Sequence, residues 1–153
     1  MQKNKNIISK KTIGFGKPDI GKEEIAAVKK VIESKWIGSG PVTEDFENKF
    51  KKYKNSKISI SVNSCTAAMH LSLLALNIGK GDEVITTPLT FCSTINSILL
   101  AGAKPVLVDI NKDTLNIDEK KIINKISKKT KAIILVHFAG LPCNLYPIIK
   151  LAK

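Results

Sequence analysis

Residues 62–76 read VNSCTAAMHLSLLAL. Three small polar residues, Ser64, Cys65 and Thr66, separate the β-branched run Ile58–Val62 from a long apolar stretch. The insert is too short for a linker and holds no glycine or proline that would make it an ordinary turn. It fits the junction between the carboxyl end of a strand and the amino end of a helix over Ala67–Leu76. Such a junction favours anions, because the N–H groups of the first helical turn have no intrahelical acceptor and the helix dipole attracts negative charge. The hydroxyls of Ser64 and Thr66 add donors, and the small side chains of Ala67 and Ala68 let a phosphate approach the backbone. An ordinary Ser/Thr N-cap is the alternative reading of the same residues.

The pattern repeats downstream. Glu83–Thr86 precedes a helical stretch Ser93–Ala101, Pro105–Asp109 precedes Glu119–Ile126, and Ala132–His137 precedes Leu145–Ala152. Counting Ile58–Val62, these are four β-α units, which predict an α/β fold with a three-layer, mainly parallel sheet flanked by helices. Glycines in Gly79-Lys80-Gly81-Asp82 and Ala101-Gly102-Ala103 are expected to cap the helices before them. Upstream, Lys22–Lys35 places Ile25, Val28 and Ile32 at helical spacing, with Glu23 and Glu24 where the dipole favours acids. The segment WIGSGP, Trp36–Pro41, breaks that helix. A second is expected from an N-cap at Thr43, with Phe46, Phe50 and Tyr53 on one face. Residues 1–21 read as a polar arm and 22–153 as one domain.

With 153 residues, 43% hydrophobic and 25% charged, the chain has the composition of a globular protein with a real core. No apolar run nears the ~18 residues of a bilayer span, and MQKNKN lacks the apolar stretch of a secretion signal, so a cytoplasmic location is expected. Cys65, Cys92 and Cys143 are odd in number and far apart, which predicts three buried free thiols rather than a disulfide framework or zinc site. His70 and His137 add no metal-ligand spacing to them. The net charge of +12 is carried entirely by lysine. Scattered lysine pairs without arginine argue against a base-reading surface, although the field would suit an anionic small substrate. Gly14-Phe15-Gly16 lacks the third glycine of a dinucleotide fingerprint, and Gly79-Lys80 lacks the spacing of a P-loop. Ser64 lacks the flanking glycines of a nucleophile elbow.

Thr86-Thr87-Pro88-Leu89-Thr90-Phe91 follows the second predicted strand. Phe91 should therefore emerge at the same carboxyl edge of the sheet as Thr66, where open α/β sheets bind ligands. An aromatic ring beside a phosphate cup suits a flat phosphorylated cofactor; packing of Phe91 in the core is the alternative.

The blocks WIGSGP, NSCTAAMHLSLLALNIGKGDEVITTPLTF, AGAKPVLVDINKDTLNID and TKAIILVHFAG, in this order, resemble the amino-terminal part of the DegT-type sugar aminotransferases. The likeness is greatest to enzymes that aminate C4 of UDP- or dTDP-linked 4-ketohexoses. It runs from about Gly16 to the last residue. The resemblance implies a fold-type I pyridoxal phosphate (PLP) large domain, incomplete over 22–153. It implies that Ser64, Cys65, Thr66 and Ala67 form the phosphate cup, with the N–H groups of Thr66 and Ala67 on the phosphate and Phe91 stacked on the pyridine ring. Gly38, Ser39 and His137 would lie on the sugar-nucleotide side. A nucleotide-sugar substrate, glutamate as amino donor and a homodimeric full-length parent are implied as well. No lysine here sits in a matching motif, and Asp109 and Asp118 do not match the pyridinium-binding segment. The Schiff-base lysine and that acid are therefore expected beyond Lys153, and the chain alone is expected to be inactive. A non-catalytic phosphate- or nucleotide-binding remnant, the sugar-dehydratase branch of the family and a basic nucleic-acid-associated domain are the other readings.

Overall fold

The computed structural model describes residues 16–153, so most of the polar arm, with Gly14 and Phe15, lies outside the described residues. The chain forms two compact units, one ending at Ser61 and the other starting at Val62.

The first unit contains helices α1 (Lys22–Glu33) and α2 (Pro41–Lys54). At the start of α1, the Glu24 carboxylate accepts the Gly21 N–H at 2.7 Å, which holds that carboxyl below the usual range. Helix α2 begins two residues before the expected Thr43 cap, because Pro41 occupies the first turn, where a missing N–H costs nothing. Phe46, Phe50 and Tyr53 do share a face, with ring centroids 6.0 and 6.5 Å apart. Neither helix buries a residue.

Ile58–Val62, expected as the first strand, is extended but pairs with no strand among the described residues. A strand is defined by its partner, and here the Ser61 N–H is taken instead by the Glu47 carboxylate at 2.6 Å. Ile58 and Ile60 stand 72% and 74% exposed, showing that this apolar alternation has no covering layer.

The second unit is a three-layer α/β/α arrangement around a parallel sheet of β1 (Glu83–Thr86), β2 (Lys104–Leu107) and β3 (Thr130–Ile133), in the order β2-β1-β3. Residues alternate across the central strand. Val84 faces α3 (Cys65–Ala75) and α4 (Ser93–Leu100), joining Leu73, Ile78, Ile98 and Ala103. Ile85 faces α5 (Glu119–Ile122) and α6 (Leu145–Ala152), joining Val108, Ile117, Ile122, Cys143 and Ile148. Full burial of each large aliphatic side chain stabilises by about 1.5–3 kcal/mol. Pro105, which has no N–H, is tolerated because β2 is an edge strand.

β2 and β3 end earlier than expected, and β3 begins earlier. The ladder continues only through the bonds Val108 N–H to Thr86 O and Ile134 N–H to Ile85 O, both 2.8 Å. Beyond them β1 ends at Thr86, and residues 135–137 have no strand partner among the described residues. Helix α3 ends in a Schellman motif, with Ile78 N–H on Leu73 O and Asn77 N–H on Leu74 O. The left-handed position is Asn77 (φ 54°), not the expected Gly79. Gly102 (φ 82°) does cap α4 in the same way.

Candidate functional site at the carboxyl edge of the sheet

Helix α3 has its carboxyl end tied by Ile78 and the turn 79–82 to the start of β1. Its amino end is therefore at the carboxyl edge of the parallel sheet, which is also where β1 releases the segment 87–92. Ser64 is the N-cap, extended at φ −159° and ψ 155°, and its Oγ accepts the Ala67 N–H at 3.1 Å. The ordinary capping role is thus present. It uses one of the two N–H groups that the resemblance gives to a phosphate. No acceptor among the described residues takes the N–H of Cys65 or Thr66. With the Thr66 hydroxyl these are donors at the positive end of an 11-residue helix, and Ala67 and Ala68 add no bulk beside them. The donor set fits a phosphate.

Phe91 is 77% exposed and belongs to neither core cluster of the described residues. It precedes α4, and its carbonyl accepts the Thr94 N–H at 3.0 Å. An uncovered ring at this edge fits the face of a flat heteroaromatic group. The hydroxyls of this segment are partnered: Thr86 Oγ1 donates to Ile134 O at 3.0 Å, Thr87 Oγ1 accepts the Leu89 N–H at 3.4 Å, Thr90 and Thr94 share a bond of 2.8 Å, and Ser97 donates to Thr94 O.

The cysteines are free, but only Cys143 is buried; Cys65 and Cys92 are exposed because each stands at the amino end of a helix on this edge, away from the core. Burial pushes the Cys143 thiol up. Asp109 and Asp118 both face the Lys121 ammonium, at 3.0 and 3.6 Å. Its hydrogen bond holds the Asp109 carboxyl below the usual range and raises Lys121 in turn. These acids are engaged in an ion-pair cluster.

His137 ends the run after β3, exposed, with Nδ1 accepting the Cys143 N–H at 3.1 Å. Gly38 and Ser39, in the other unit, are exposed in a loop closed by the Trp36 indole, which donates to Ser39 O at 2.9 Å. The indole ring covers the Gly40 Cα, where a Cβ would collide with it, which explains the glycine in WIGSGP. Sequence reasoning passed over Asn116. It is only 4% exposed and bonds to both Phe138 and Leu141. Its block, DTLNID, gave a signal, but nothing marked this asparagine as buried.

A parallel sheet with a helix amino terminus and an exposed aromatic ring at its carboxyl edge is an α/β arrangement of the kind that binds ligands at that edge. Residues 18–153 match the DegT/DnrJ/EryC1/StrS aminotransferase family, and the chain belongs to it. It is 47% identical over 139 residues to the spore coat polysaccharide biosynthesis protein SpsC of Bacillus subtilis, covering 91% of this chain and 36% of SpsC. Among solved structures it resembles Spr1654 of Streptococcus pneumoniae, provisionally described as a sugar aminotransferase, in its pyridoxamine phosphate (PMP) form. That likeness has a TM-score of 0.83 at 37% identity, over 91% of this chain and 35% of the other. It also resembles an aminotransferase from Psychrobacter cryohalolentis, with a TM-score of 0.81 at 39% identity over 88% and 35%. The chain spans about a third of the length of these relatives. The family's enzymes are PLP-dependent aminotransferases. None of the described helices is long and apolar enough to cross a membrane.

Proposed function

We propose that the chain supplies the phosphate cup and ring-stacking surface of a PLP-dependent aminotransferase acting on a nucleotide-linked 4-keto-hexose, with glutamate as amino donor. The observation that carries this is the pair of unpartnered N–H groups of Cys65 and Thr66 at the same sheet edge as the uncovered ring of Phe91. In this reading Cys65, Thr66 and the Thr66 hydroxyl bind the phosphate. Ser64 holds the helix terminus open for it and Ala67 lines the cup, its N–H shared between Ser64 and the phosphate. Phe91 sets the tilt of the pyridine ring and keeps water off one of its faces. PLP bound there supplies the electron sink that lets an amino group pass between an amino acid and a keto carbon. No lysine of residues 16–153 is given the covalent role, and Gly38, Ser39 and His137 are assigned to the sugar-nucleotide side. The net charge of +12 favours approach of such an anionic substrate.

The test is equilibrium binding of PMP, which lacks the aldehyde that the chain's lysines would capture. Binding that is competed by inorganic phosphate and lost on Phe91→Ala supports the reading. Binding that is insensitive to both would overturn it.

A further inference from the structure

The loop after β3 is held from two sides. Asn116 lies in the hairpin after β2, whose ends meet in the antiparallel bridge Ile110–Ile117. Its Nδ2 donates to the Leu141 carbonyl at 3.0 Å, and its Oδ1 accepts the Phe138 N–H at 2.9 Å. The neck of the same loop is closed by the Cys143 N–H on His137 Nδ1 at 3.1 Å and by the Cys143 thiol donating to Val136 O at 3.2 Å. The turn between needs this support. Ala139 sits at φ 49°, a left-handed conformation that costs a non-glycine residue about 1–2 kcal/mol.

Two consequences follow from the chemistry of these bonds. Asn116 offers a donor group and an acceptor group in one fixed plane, and each is used on the same loop, so no other side chain of its size can repeat the clamp. An imidazole nitrogen that accepts an N–H carries no proton, so the neutral ring of His137 holds its proton on Nε2.

We propose that Asn116 is a positioning residue: by clamping Phe138 and Leu141 it keeps the Cys143 N–H on His137 Nδ1, and so fixes the exposed ring as an Nε2–H donor for a ligand oxygen at the carboxyl edge of the sheet. The use of that donor rests on the aminotransferase reading above, whereas the clamp stands without it. A residue that merely fills space would lower stability and leave the bond at Nδ1 unchanged.

The experiment is magic-angle-spinning ¹⁵N NMR on the labelled 153-residue chain, which tolerates self-association. It reads the through-hydrogen-bond correlation between the Cys143 amide nitrogen and His137 Nδ1, with His70→Gln removing the other imidazole. The correlation is expected in the parent and is expected to disappear in Asn116→Ala. It is expected to disappear in Asn116→Asp too, which keeps the acceptor for Phe138 but sets a carboxylate oxygen against the Leu141 carbonyl; far-UV circular dichroism verifies that this variant is folded. A parent without the correlation, or a folded Asn116 variant that retains it, overturns the proposal. No cofactor enters this measurement. Loss of PMP binding with the correlation intact would therefore count against the proposed function alone.

Discussion

The Ser127 hydroxyl donates to Glu83 Oε2 at 2.6 Å while Glu83 Oε1 meets the Lys104 ammonium at 3.2 Å. One carboxylate thus joins the amino ends of β1 and β2 to the loop that precedes β3. The Ser127 bond first, and Lys104 second, hold the Glu83 carboxyl below its usual range. A lowered folded-state value contributes stability that is fully present above the unfolded value, about 4.3, and is lost as pH falls through the folded one. Urea unfolding midpoints measured from pH 6 down to pH 3 should therefore fall more steeply in the parent than in Glu83→Gln. Parallel curves would show that the carboxylate contributes nothing to the acid limb.

Thr66→Ile removes a hydroxyl donor and crowds the cup with a branched side chain. PMP affinity should weaken by about 1–3 kcal/mol, the scale for an anion that loses a hydrogen bond. An unchanged dissociation constant would move the phosphate away from α3.

Phe91 separates binding from folding. Because the ring is exposed, Phe91→Ala should leave the melting temperature of the cofactor-free chain nearly unchanged while weakening PMP binding, and Phe91→Trp should retain binding. A core phenylalanine would instead cost about 3–5 kcal/mol of stability on truncation. Thermal melts beside titrations distinguish the two.

Asn77 carries the left-handed turn after α3. Asn77→Ala should destabilise by about 1 kcal/mol, since a Cβ without a local hydrogen-bonding group is disfavoured there. Asn77→Gly should be neutral or slightly stabilising. Equal losses in denaturant titrations of both variants would place the role of Asn77 in its side-chain contacts.

The apolar stripes of the first unit are open. Ile25, Val28 and Ile32 on α1 are 64%, 59% and 62% exposed, and no residue of α1 or α2 is buried. The 153-residue chain should therefore self-associate. Sedimentation velocity should detect a larger monomer fraction in Ile25→Lys/Phe46→Lys. A monodisperse parent would contradict the expectation.

Much of this architecture was legible because it depends on local chemistry. Leu145–Ala152 and Glu83–Thr86 have the bounds their patterns predict, and Gly102 caps α4 as its position suggests. The two strand failures share one cause, dependence on residues distant in sequence. Ile58–Val62 has the composition of a strand but no partner among the described residues, and residues 135–137 outrun the strand they would pair with. Asn77 in place of Gly79 is a local miss, because asparagine tolerates the left-handed region almost as glycine does. At the site, Ser64 as the cap of α3, and Phe91 in the segment after β1, could be placed from local pattern alone, although the run before Ser64 forms no strand among the described residues. Asn116 could not, since its importance lies in two backbone groups more than 20 residues away.

The alternation along β1 also sets an order in time. Glu83 pairs with Lys104, 21 residues on, but with Thr130, 47 residues on. Closing the longer loop costs about 0.7 kcal/mol more by the logarithmic rule. The fully buried members of the cluster beneath α3 and α4 are all present by Ala103, with Ala132 and Ile134 packing against them later, whereas the opposite cluster waits for Ile148. A polypeptide leaving the ribosome can thus cover one side of its central strand while the residues for the other are still untranslated. Nascent chains stalled with residues up to about 110 outside the exit tunnel should already protect Leu73–Ala103 from protease, and cleavage throughout that stretch would reverse the order. Ile85 would spend that interval bare, leaving that face of the strand open to capture by a chaperone.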